Sequence, residues 1–532
     1  MTGAELIADH LSSQGIRFIF GIPGSGFSLD LIDAASHRGI DFVATAHEGS
    51  AAMMAAVHGE LTGIPGVCLS IRGPGAANLN SGIAYAWLEH APMLAITETF
   101  SRKLSRPPAL QNLDHESVFS PTTKRRELLT PDTCLSTLWR TAVHERPGPV
   151  HLDVPDGHAD LEFRPSEVSL QESPKPDTPD ADVIVKRLRA AEKPVALVGA
   201  ACARAGAGDA LIRFAETWSI PVMTGVKARG LFPEDHPLFG GLFLAHGRAE
   251  EHITDQADLF LTIGWDRHEL MKEWAYEQRV LLLDCIDQGS DIPHAPEARV
   301  IGHLPDILDS LAASGSEKWA TEDVAAALQK LKERAEPKGP GFWPQQVVEI
   351  TRNLSPRDTI LVVETGIYQA VVEHVWISYA YGTYLGTLCA RTMGLALPAA
   401  LAAGLLRNDR RIVCMVGDGG LLMRAGELEL AGRMKVPLTL IVFNDRGLGT
   451  IRSRQATRGL ERRGLDLGPV NFAKMAESCG CRGVQVASEP EFERAFSEAL
   501  KTDGPAVIDV QMDPDLYDQV LVQLRGGAPL KR

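Results

Sequence analysis

Short apolar runs alternate along the chain with longer segments whose apolar residues recur at helical spacing. Each run ends at a glycine-rich or polar break, and a helical segment follows it. This is the pattern of buried parallel strands joined by crossover helices. In the first part of the chain it predicts strands at Arg17–Phe20, Asp41–Ala46, Val67–Ile71 and Met93–Thr97.

The same layout returns twice further along the chain. A central group of predicted strands starts at Pro194, Pro221, Leu259 and Val280, and a last group starts at Thr359, Ile412 and Leu438. Stretches rich in proline and polar residues, at 164–182 and 336–344, separate the groups and are typical of linkers. We therefore predict an α/β chain of three doubly wound domains with parallel sheets, over residues 1–163, 183–315 and 340–532.

The amino-acid composition disfavours some classes of binding partner. The 532 residues are 45% hydrophobic and carry a formal net charge of −15, which disfavours nucleic acid or an anionic membrane as a partner. No apolar run approaches the ~20 residues of a membrane span, and the N-terminal segment is amphipathic and acidic, unlike a signal peptide. The eight cysteines are scattered, several of them inside apolar runs, where a reduced thiol packs as a small hydrophobe. We predict a cytoplasmic protein.

The segment Gly417–Thr450 carries the clearest candidate chemistry. A strand at 412–416 breaks at a glycine-rich turn around Asp418, one helical segment follows, and a second strand breaks at Asp445, 27 positions later. Parallel strands joined by one crossover are usually neighbours, so both carboxylates are expected at the same sheet edge. Two carboxylates there can share one Mg²⁺ ion, and the glycines let backbone N–H groups approach a phosphate. The unit is predicted to bind a diphosphate bridged to magnesium.

Two other interpretations of this unit stay open from the residues alone. The Gly-Asp-Gly sequence can be no more than the tight turn of an ordinary α/β crossover. A nucleotide-binding module, such as that of an NAD-dependent enzyme, has a similar layout. The chain lacks a Gly-x-Gly-x-x-Gly turn followed by a ribose-binding acid, which disfavours the second interpretation.

Motifs along nearly the whole chain resemble those of thiamine-diphosphate (ThDP) enzymes of the acetolactate-synthase-like group. The Gly-Asp-Gly turn followed by Asn-Asp is similar to the cofactor motif of that family. The other matching segments are FGIPGSGFSLDLIDA at 20–34, AHEGSAAMMAAVHGELTG at 46–63, GPGAANLNSGIAYAWLEHAPMLAIT at 73–97, ALQNLDHESVFSPTTK at 109–124 and RTMGLALPAALAA at 391–403. The resemblance implies ThDP and Mg²⁺ as cofactors, with the metal held by Asp418, Asp445 and the Gly447 carbonyl. The family more often has Asn at the position of Asp445.

The resemblance also implies which residues contact the cofactor. In the family a glutamate hydrogen-bonds N1′ of the aminopyrimidine and promotes loss of the C2 proton, and Glu48 matches it; the alternative is a surface glutamate at a helix start. Met393 matches an apolar support for the bent cofactor, or else is plain core. The further candidates are the Arg391 carbonyl for the 4′-amino group, Gly419 and Gly420 for the diphosphate, and Tyr368 as a weaker phosphate contact.

Candidate substrate residues have less support. Gln111 matches a family glutamine that faces the thiazolium ring, which makes it a catalytic and substrate-contact candidate. Ser25 and Gly26 lie on a loop that reaches the substrate in several relatives. Arg72 stands before Gly-Pro-Gly, where an arginine can bind a carboxylate in bidentate geometry or form an ordinary salt bridge.

Several other charged residues are expected to be structural or solvated. Arg452 and Arg454 are interpreted as solvated or phosphate-side charges, and His90, His115 and His151 as structural histidines. In the central domain some relatives bind FAD. The segment after Val198 lacks a clean glycine fingerprint, and Asp266-Arg-His-Glu-Leu replaces the Arg-Phe-Asp-Asp-Arg typical of FAD-binding relatives, so FAD is possible but disfavoured.

The implied activity is decarboxylation of a small 2-oxo acid with ligation of the enamine to a second carbonyl. The alternatives are a simple decarboxylase that releases an aldehyde, and a non-catalytic paralogue that binds ThDP. In relatives the first domain of one subunit and the last domain of another hold the two ends of the cofactor. A homodimer or homotetramer with interfacial active sites is therefore implied.

Overall fold

The computed structural model of the chain describes residues 1–101, 108–157, 181–245 and 250–525. It contains three six-stranded sheets, and every strand pair in them is parallel. Helices cover the sheets, as buried parallel strands require. The fold class predicted from the sequence is confirmed. The predicted linker 164–182 lies almost wholly outside the described residues.

The first sheet has the strand order β2-β1-β3-β4-β6-β5. Its strands are β1 (Phe18–Gly21), β2 (Asp41–Ala44), β3 (Gly66–Ser70), β4 (Met93–Thr99), β5 (Arg125–Leu128) and β6 (Pro149–Pro155). The helices of this part are α1 (Gly3–Ser13), α2 (Phe27–Ser36), α3 (Glu48–Thr62), α4 (Pro74–Leu88), α5 (His115–Phe119) and α6 (Leu135–Val143).

The central sheet has the order β12-β11-β10-β7-β8-β9. Its strands are β7 (Pro194–Val198), β8 (Val222–Thr224), β9 (Phe239–Leu242), β10 (Leu259–Ile263), β11 (Arg279–Asp284) and β12 (Ala298–Ile301). Its helices are α7 (Asp182–Ala190), α8 (Ala200–Arg204), α9 (Gly208–Trp218), α10 (Glu251–Thr254), α11 (Leu304–Ala312) and α12 (Thr321–Ala335).

The last sheet has the order β14-β13-β15-β16-β18-β17. Its strands are β13 (Ile360–Val363), β14 (Tyr384–Gly386), β15 (Ile412–Gly417), β16 (Leu438–Asn444), β17 (Arg482–Val486) and β18 (Ala506–Gln511). Its helices are α13 (Pro344–Leu354), α14 (Ile367–Val375), α15 (Ala396–Leu406), α16 (Asp418–Arg424), α17 (Glu427–Met434), α18 (Gly449–Thr457), α19 (Phe472–Ser478), α20 (Glu489–Ala499) and α21 (Pro514–Arg525).

The first and last sheets share one topology. When the strands of each are numbered from its own first strand, both have the order 2-1-3-4-6-5. In each, the first strand is followed by its neighbour on one side and then by its neighbour on the other. Such a reversal leaves a crevice at the carboxyl ends of the strands, where α/β proteins bind ligands.

Helix α3 joins the first and last domains within one chain. It is alanine-rich and almost completely buried from Glu48 to Gly59, because α4 packs on it from its own domain and α15 from the last domain. Its N-terminus is capped by His47, whose Nδ1 accepts the N–H of Gly49 at 2.9 Å. Small side chains on α3 and α15 allow this close approach, so the position of Glu48 is fixed by packing on all sides.

The helical segment between Asp418 and Asp445 differs from the prediction. The helical pattern after Asp418 predicted a single helix, but α16 ends at Arg424 and α17 starts at Glu427. The break falls at Ala425 and Gly426, which both keep right-handed helical backbone angles. Across the described ranges, no helix has both the length and the apolar character needed to cross a membrane.

Candidate active site

Three acidic residues meet at one edge of the last sheet. Glu364 follows β13, Asp418 follows β15 and Asp445 follows β16, and each is at most 3% exposed. The parallel register of β13, β15 and β16 brings these strand ends together. A cavity of about 290 Å³ opens beside them. The sheet edge predicted from the sequence therefore does hold a cluster of carboxylates next to a cavity.

Asp418 and Asp445 form a pair of buried carboxylates. One oxygen of Asp418 accepts the N–H of Gly419 at 2.6 Å, and the other accepts the N–H of Gly447 at 3.1 Å. Burial, together with the charge of Asp445, raises the pKa of Asp418 to about 7. Two such groups are costly to bury as anions unless a cation lies between them. The donor set suits a hard divalent cation, which prefers oxygen ligands.

Arg452 was expected to be a solvated or a phosphate-side charge, and its burial excludes the first of these alternatives. Its guanidinium is 5% exposed, and its Nη2 donates to Oδ2 of Asp445 at 2.7 Å. Helix α18 turns the arginine back towards the end of β16 seven residues earlier. The extra negative charge of an aspartate at position 445 is thus compensated by a residue of the same segment. Arg454 lines the cavity, as a phosphate-side charge would.

The space around the glycines after β15 is too small for a side chain. A Cβ atom at Gly420 would lie 1.5 Å from Oε1 of Glu364, and one at Gly419 would lie 2.8 Å from Leu448 Cδ2. Both glycines line the cavity. The main chain therefore forms a surface that a bulky group can approach closely, which is what a diphosphate needs.

Replacing Gly420 by alanine tests this crowding. We expect Gly420→Ala to destabilise the protein by about 1–3 kcal/mol, because the buried Glu364 carboxyl must move. The matched control is Gly417→Ala, whose Cβ would make an ordinary 3.5 Å contact with Tyr368. Thermal unfolding of both variants is the measurement. Equal melting temperatures for the two would contradict the crowding argument.

Tyr368, Arg391 and Met393 form part of the cavity wall. The Tyr368 ring stacks on Phe443 with centroids 4.7 Å apart, and its hydroxyl accepts the N–H of Gly417 at 3.1 Å. It therefore holds the glycine turn in place. Arg391 has a φ of 42°, an uncommon conformation for a residue other than glycine, and its Nη2 donates to Oε1 of Gln369 at 3.2 Å. The predicted contact of its carbonyl with the cofactor stays a prediction.

Glu364 and Tyr517 are cavity residues that the sequence analysis missed. Glu364 is 1% exposed, and burial raises its pKa to about 7. Its Oε2 accepts the N–H of Ala396 at 3.0 Å, and its Oε1 has no hydrogen-bond partner among the described residues. The sequence pattern could have identified Glu364, since this residue follows a buried strand at the sheet edge that carries Asp418. No motif marks Tyr517, which comes from the distant helix α21.

Glu48 lies in the first domain and does not line the cavity beside Asp418. All residues that line the cavity beside Asp418 fall between 364 and 517. Glu48 instead begins α3 in the first domain, is 9% exposed, and accepts a hydrogen bond from Asn78 Nδ2 at 3.0 Å. Gly75 packs against it so closely that a Cβ there would lie 3.1 Å from its Oε1. Among the described residues, Glu48 is therefore not part of the lining of the cavity beside Asp418.

The candidate substrate residues surround the same part of the first domain. Gln111 is exposed, with a φ of 55°, and its main chain packs against Gly73. Ser25 and Gly26 lie on the exposed loop after β1. A Cβ at Gly26 would lie 3.3 Å from Glu98. The structure thus groups these residues near the β1 and β3 ends, while their contact with substrate stays a prediction.

Arg72 has a bidentate carboxylate partner in its own chain. Its Nη1 and Nη2 donate to the two oxygens of Asp156 at 2.7 and 2.5 Å. Glu98 lies 3.8 Å from the same guanidinium. The salt bridge that the sequence left open is therefore present, and a substrate carboxylate would have to compete with Asp156.

A buried histidine network supports the loop that carries Gly73. The Nδ1 of His115 is 2.8 Å from Asp153 Oδ1, and its Nε2 accepts the N–H of Gly73 at 3.2 Å. This contact makes Nδ1 the protonated nitrogen. His151 is fully buried and is 2.8 Å from Thr97 Oγ1. Both histidines are structural, as the sequence analysis expected.

Glu269 lies in a crevice of the central domain. The crevice lies between β7 and β10, where the strand order reverses. Glu269 is fully buried there, and its Oε1 accepts the N–H of Ala200 at 2.9 Å at the start of α8. A Cβ at Gly199 or at Gly225 would lie 2.4 Å from its carboxylate oxygens. Burial raises the pKa of Glu269 to about 8. The Glu269 carboxylate thus lies against both glycines at the strand ends.

Family models match three parts of the chain. Residues 1–118 match the thiamine pyrophosphate enzyme N-terminal TPP binding domain, residues 181–311 the thiamine pyrophosphate enzyme central domain, and residues 364–510 the C-terminal TPP binding domain. The cavity and its carboxylates lie in the C-terminal match, except for Tyr517, and Glu48 lies in the N-terminal one.

Curated relatives align with the chain over nearly its full length. A probable acetolactate synthase large subunit of Methanocaldococcus jannaschii is 30% identical, over 97% of this chain and 92% of the relative. An acetolactate synthase of Bacillus subtilis is 28% identical, over 96% and 93%. A catabolic acetolactate synthase of Raoultella terrigena is 28% identical, over 96% and 95%.

Proposed function

Because this chain belongs to the thiamine-diphosphate enzyme family, with acetolactate synthases among its full-length relatives, we propose that it decarboxylates a 2-oxo acid and ligates the remaining fragment to a second carbonyl compound. The resemblance inferred from the sequence motifs is confirmed by these matches. The observation that carries the proposal is the pair of buried carboxylates, Asp418 and Asp445, beside a glycine-walled cavity.

Different residues of the chain would bind ThDP and Mg²⁺. Bound ThDP supplies the nucleophilic carbon and the electron sink for decarboxylation. Asp418, Asp445 and the Gly447 carbonyl would hold Mg²⁺. Gly419 and Gly420 would face the diphosphate. Arg452 keeps Asp445 oriented through its 2.7 Å ion pair.

The remaining contacts would control the reactive end of the cofactor. Met393 offers an apolar surface on the cavity wall. Glu48 would hold a proton at its carboxyl group for N1′ of the pyrimidine ring. Its nearly complete burial excludes water from that proton. The side chain of Asn78 orients the carboxyl through a 3.0 Å hydrogen bond.

A panel of small 2-oxo acids, incubated with ThDP and Mg²⁺, tests the activity. We expect CO₂ release together with a 2-hydroxy-2-methyl-3-oxo acid when pyruvate is donor and acceptor. Aldehyde as the sole product would replace ligation by simple decarboxylation. No CO₂ release from any acid, with ThDP shown to bind, would favour a non-catalytic protein.

We propose further that the active site is shared between two copies of the chain, in a homodimer or homotetramer. Support comes from the cavity, whose lining among the described residues falls between 364 and 517 and does not include Glu48. Glu48 begins α3, on which α4 and α15 pack. A second copy can supply the missing pyrimidine-side contacts. An interface of this kind is expected to be large and apolar.

Mixing two inactive variants tests the shared site. When Glu48→Gln and Asp418→Ala chains exchange subunits, a mixed dimer has one site with both lesions and one intact site. Activity is therefore expected to return in part, to about a quarter of wild type after random exchange of equal amounts, since half of the dimers are mixed. A labelled chain must first show that exchange occurs. No recovery after proven exchange, or an active monomer in sedimentation, would overturn the proposal.

We propose also that the central domain binds no FAD. Glu269 supports this, because its carboxylate occupies the crevice between Gly199 and Gly225. Purified protein should show no flavin absorbance, and added FAD should leave its melting temperature unchanged. A flavin that copurifies in stoichiometric amount would contradict the proposal.

A further inference from the structure

Two histidines and an aspartate meet where the first domain faces the central domain. His90 lies between α4 and β4, whereas Asp266 and His268 lie just after β10. The Nε2 of His90 is 3.2 Å from Nδ1 of His268 and 3.4 Å from Oδ2 of Asp266. The Nδ1 of His268 is 2.8 Å from Oδ1 of Asp266. Three potential metal-ligand atoms thus converge from two domains.

These separations are close to those of a zinc-type site. With metal–ligand bonds of 2.0–2.2 Å, two ligands of a tetrahedral ion lie about 3.3 Å apart. The two separations from His90 Nε2 are close to this value. The 2.8 Å contact of His268 is with the other carboxylate oxygen of Asp266, Oδ1. One ligand atom from each of the three residues lies within 4.8 Å of the other two. The ring planes are inclined at 73°, so the two imidazoles approach from different directions.

The protons of this cluster also favour a cation. The facing nitrogens of His90 and His268 leave space for one hydrogen between them. If His90 Nε2 and His268 Nδ1 each carried a hydrogen directed at Asp266, their two N–H dipoles would lie side by side. A cation would instead accept a lone pair from each neutral imidazole and from the carboxylate, as metal-bound histidines do.

Neighbouring charges select the type of ion. Arg146 Nε lies 2.5 Å from Oδ2 of Asp266, which offsets the carboxylate charge. Asp291 pairs with both Arg146 and Arg267 at 2.7 and 2.6 Å. The site therefore presents little net negative charge to attract Mg²⁺. Two imidazoles suit Zn²⁺, Co²⁺ or Ni²⁺ instead, and ligating carboxylates are commonly held by a further partner such as this arginine.

We propose that His90, His268 and Asp266 form a site for a zinc-type divalent ion that links the first and central domains, separate from the ThDP site. His90 adopts a φ of 55°, which directs this residue to the central domain. It also lines a cavity of about 410 Å³ at the meeting of the three domains. Solvent can thus reach the ion, and a water molecule completes its fourth position.

The second histidine–aspartate group makes a useful contrast. His115, His151 and Asp153 also lie close together, but each is at most 4% exposed. Thr97 Oγ1 donates to Asp153 at 2.6 Å and is 2.8 Å from His151. The Thr97 hydroxyl thus already joins Asp153 and His151, so the atoms that face one another in this group are hydrogen-bonded without a metal.

Titration with Co²⁺ tests the proposal on full-length protein stripped of metals and reloaded with excess Mg²⁺ and ThDP. We expect the intense visible absorption of four-coordinate Co²⁺, saturating at about one ion per chain, and displacement of that spectrum by Zn²⁺. His90→Gln and His268→Gln should each weaken the affinity at least ~10-fold. His236→Gln, which removes a central-domain histidine paired with Glu216, should leave it unchanged.

Thermal unfolding supplies a second readout. Zn²⁺ should raise the melting temperature of the wild type and the His236 variant, but not of the two site variants, because an ion that binds only the folded state stabilises it. Without added metal, the variants should melt with the wild type, which shows that they fold. A six-coordinate spectrum, or the same Co²⁺ affinity in the site variants as in wild type, would overturn the proposal.

Discussion

Asp418→Ala is expected to lower the ThDP-dependent activity more than about 100-fold. Loss of a hydrogen-bond partner of a metal ligand already costs 10–100-fold in many sites, and here a proposed ligand itself is removed. Asp445 would then be left with Arg452 as its cationic partner. Retention of ThDP on a desalting column should no longer depend on Mg²⁺.

The control for this prediction is Asp409→Ala. Asp409 precedes β15 and its side chain is 64% exposed, so its removal tests a loss of charge in the same domain without touching the cavity. It should retain wild-type activity and cofactor. Full activity of Asp418→Ala would remove Asp418 from the metal site.

Glu48→Gln is expected to slow exchange of the cofactor's C2 proton by about 10²–10⁴-fold, the usual contribution of a positioned acid or base. Glutamine keeps the shape of the side chain and can still contact Asn78, so α3 and the fold should be unaffected. ThDP should still bind, because the proposed diphosphate and metal contacts lie in the last domain. Exchange is followed by NMR of acid-quenched samples in deuterated water.

Glu116→Gln is the matched control for Glu48→Gln. Glu116 also lies in the first turn of a first-domain helix, but its side chain is 69% exposed. Its exchange rate should equal that of the wild type. If Glu48→Gln also exchanged at that rate, Glu48 would be a structural acid and not a proton relay.

The fold was largely predictable because its strands are short apolar runs with clear ends. The strands around Asp418 and Asp445 were expected to be parallel neighbours, and β15 and β16 pair in parallel from Ile412 to Gly417. The single helix predicted between them was wrong, because α16 ends at Arg424 and α17 starts at Glu427. Periodicity reports which faces are apolar, and it does not report where a helix breaks.

Part of the site was predictable because its residues adjoin strand ends, although Glu364 adjoins one too and was missed. Asp418 and Asp445 met this condition and were found. The ion pair of Arg452 with Asp445 was not predicted, since an arginine in a polar helical segment gives no sign that it turns back to a carboxylate. Glu48 was found through the family resemblance, and its separation from the carboxylate pair is a matter of packing between domains that no local pattern contains.

The identical strand order of the first and last sheets places different chemistry at corresponding points. Asp418 follows the third strand of the last sheet and Asp445 follows the fourth. In the first sheet, Arg72 follows the third strand by two residues and Phe100 follows the fourth directly. There the arginine guanidinium lies over the phenylalanine ring, 4.3 Å from its centroid, in a cation–π contact. The same strand order is thus used twice, with two acids at these strand ends in the last sheet and an arginine packed on an aromatic ring in the first.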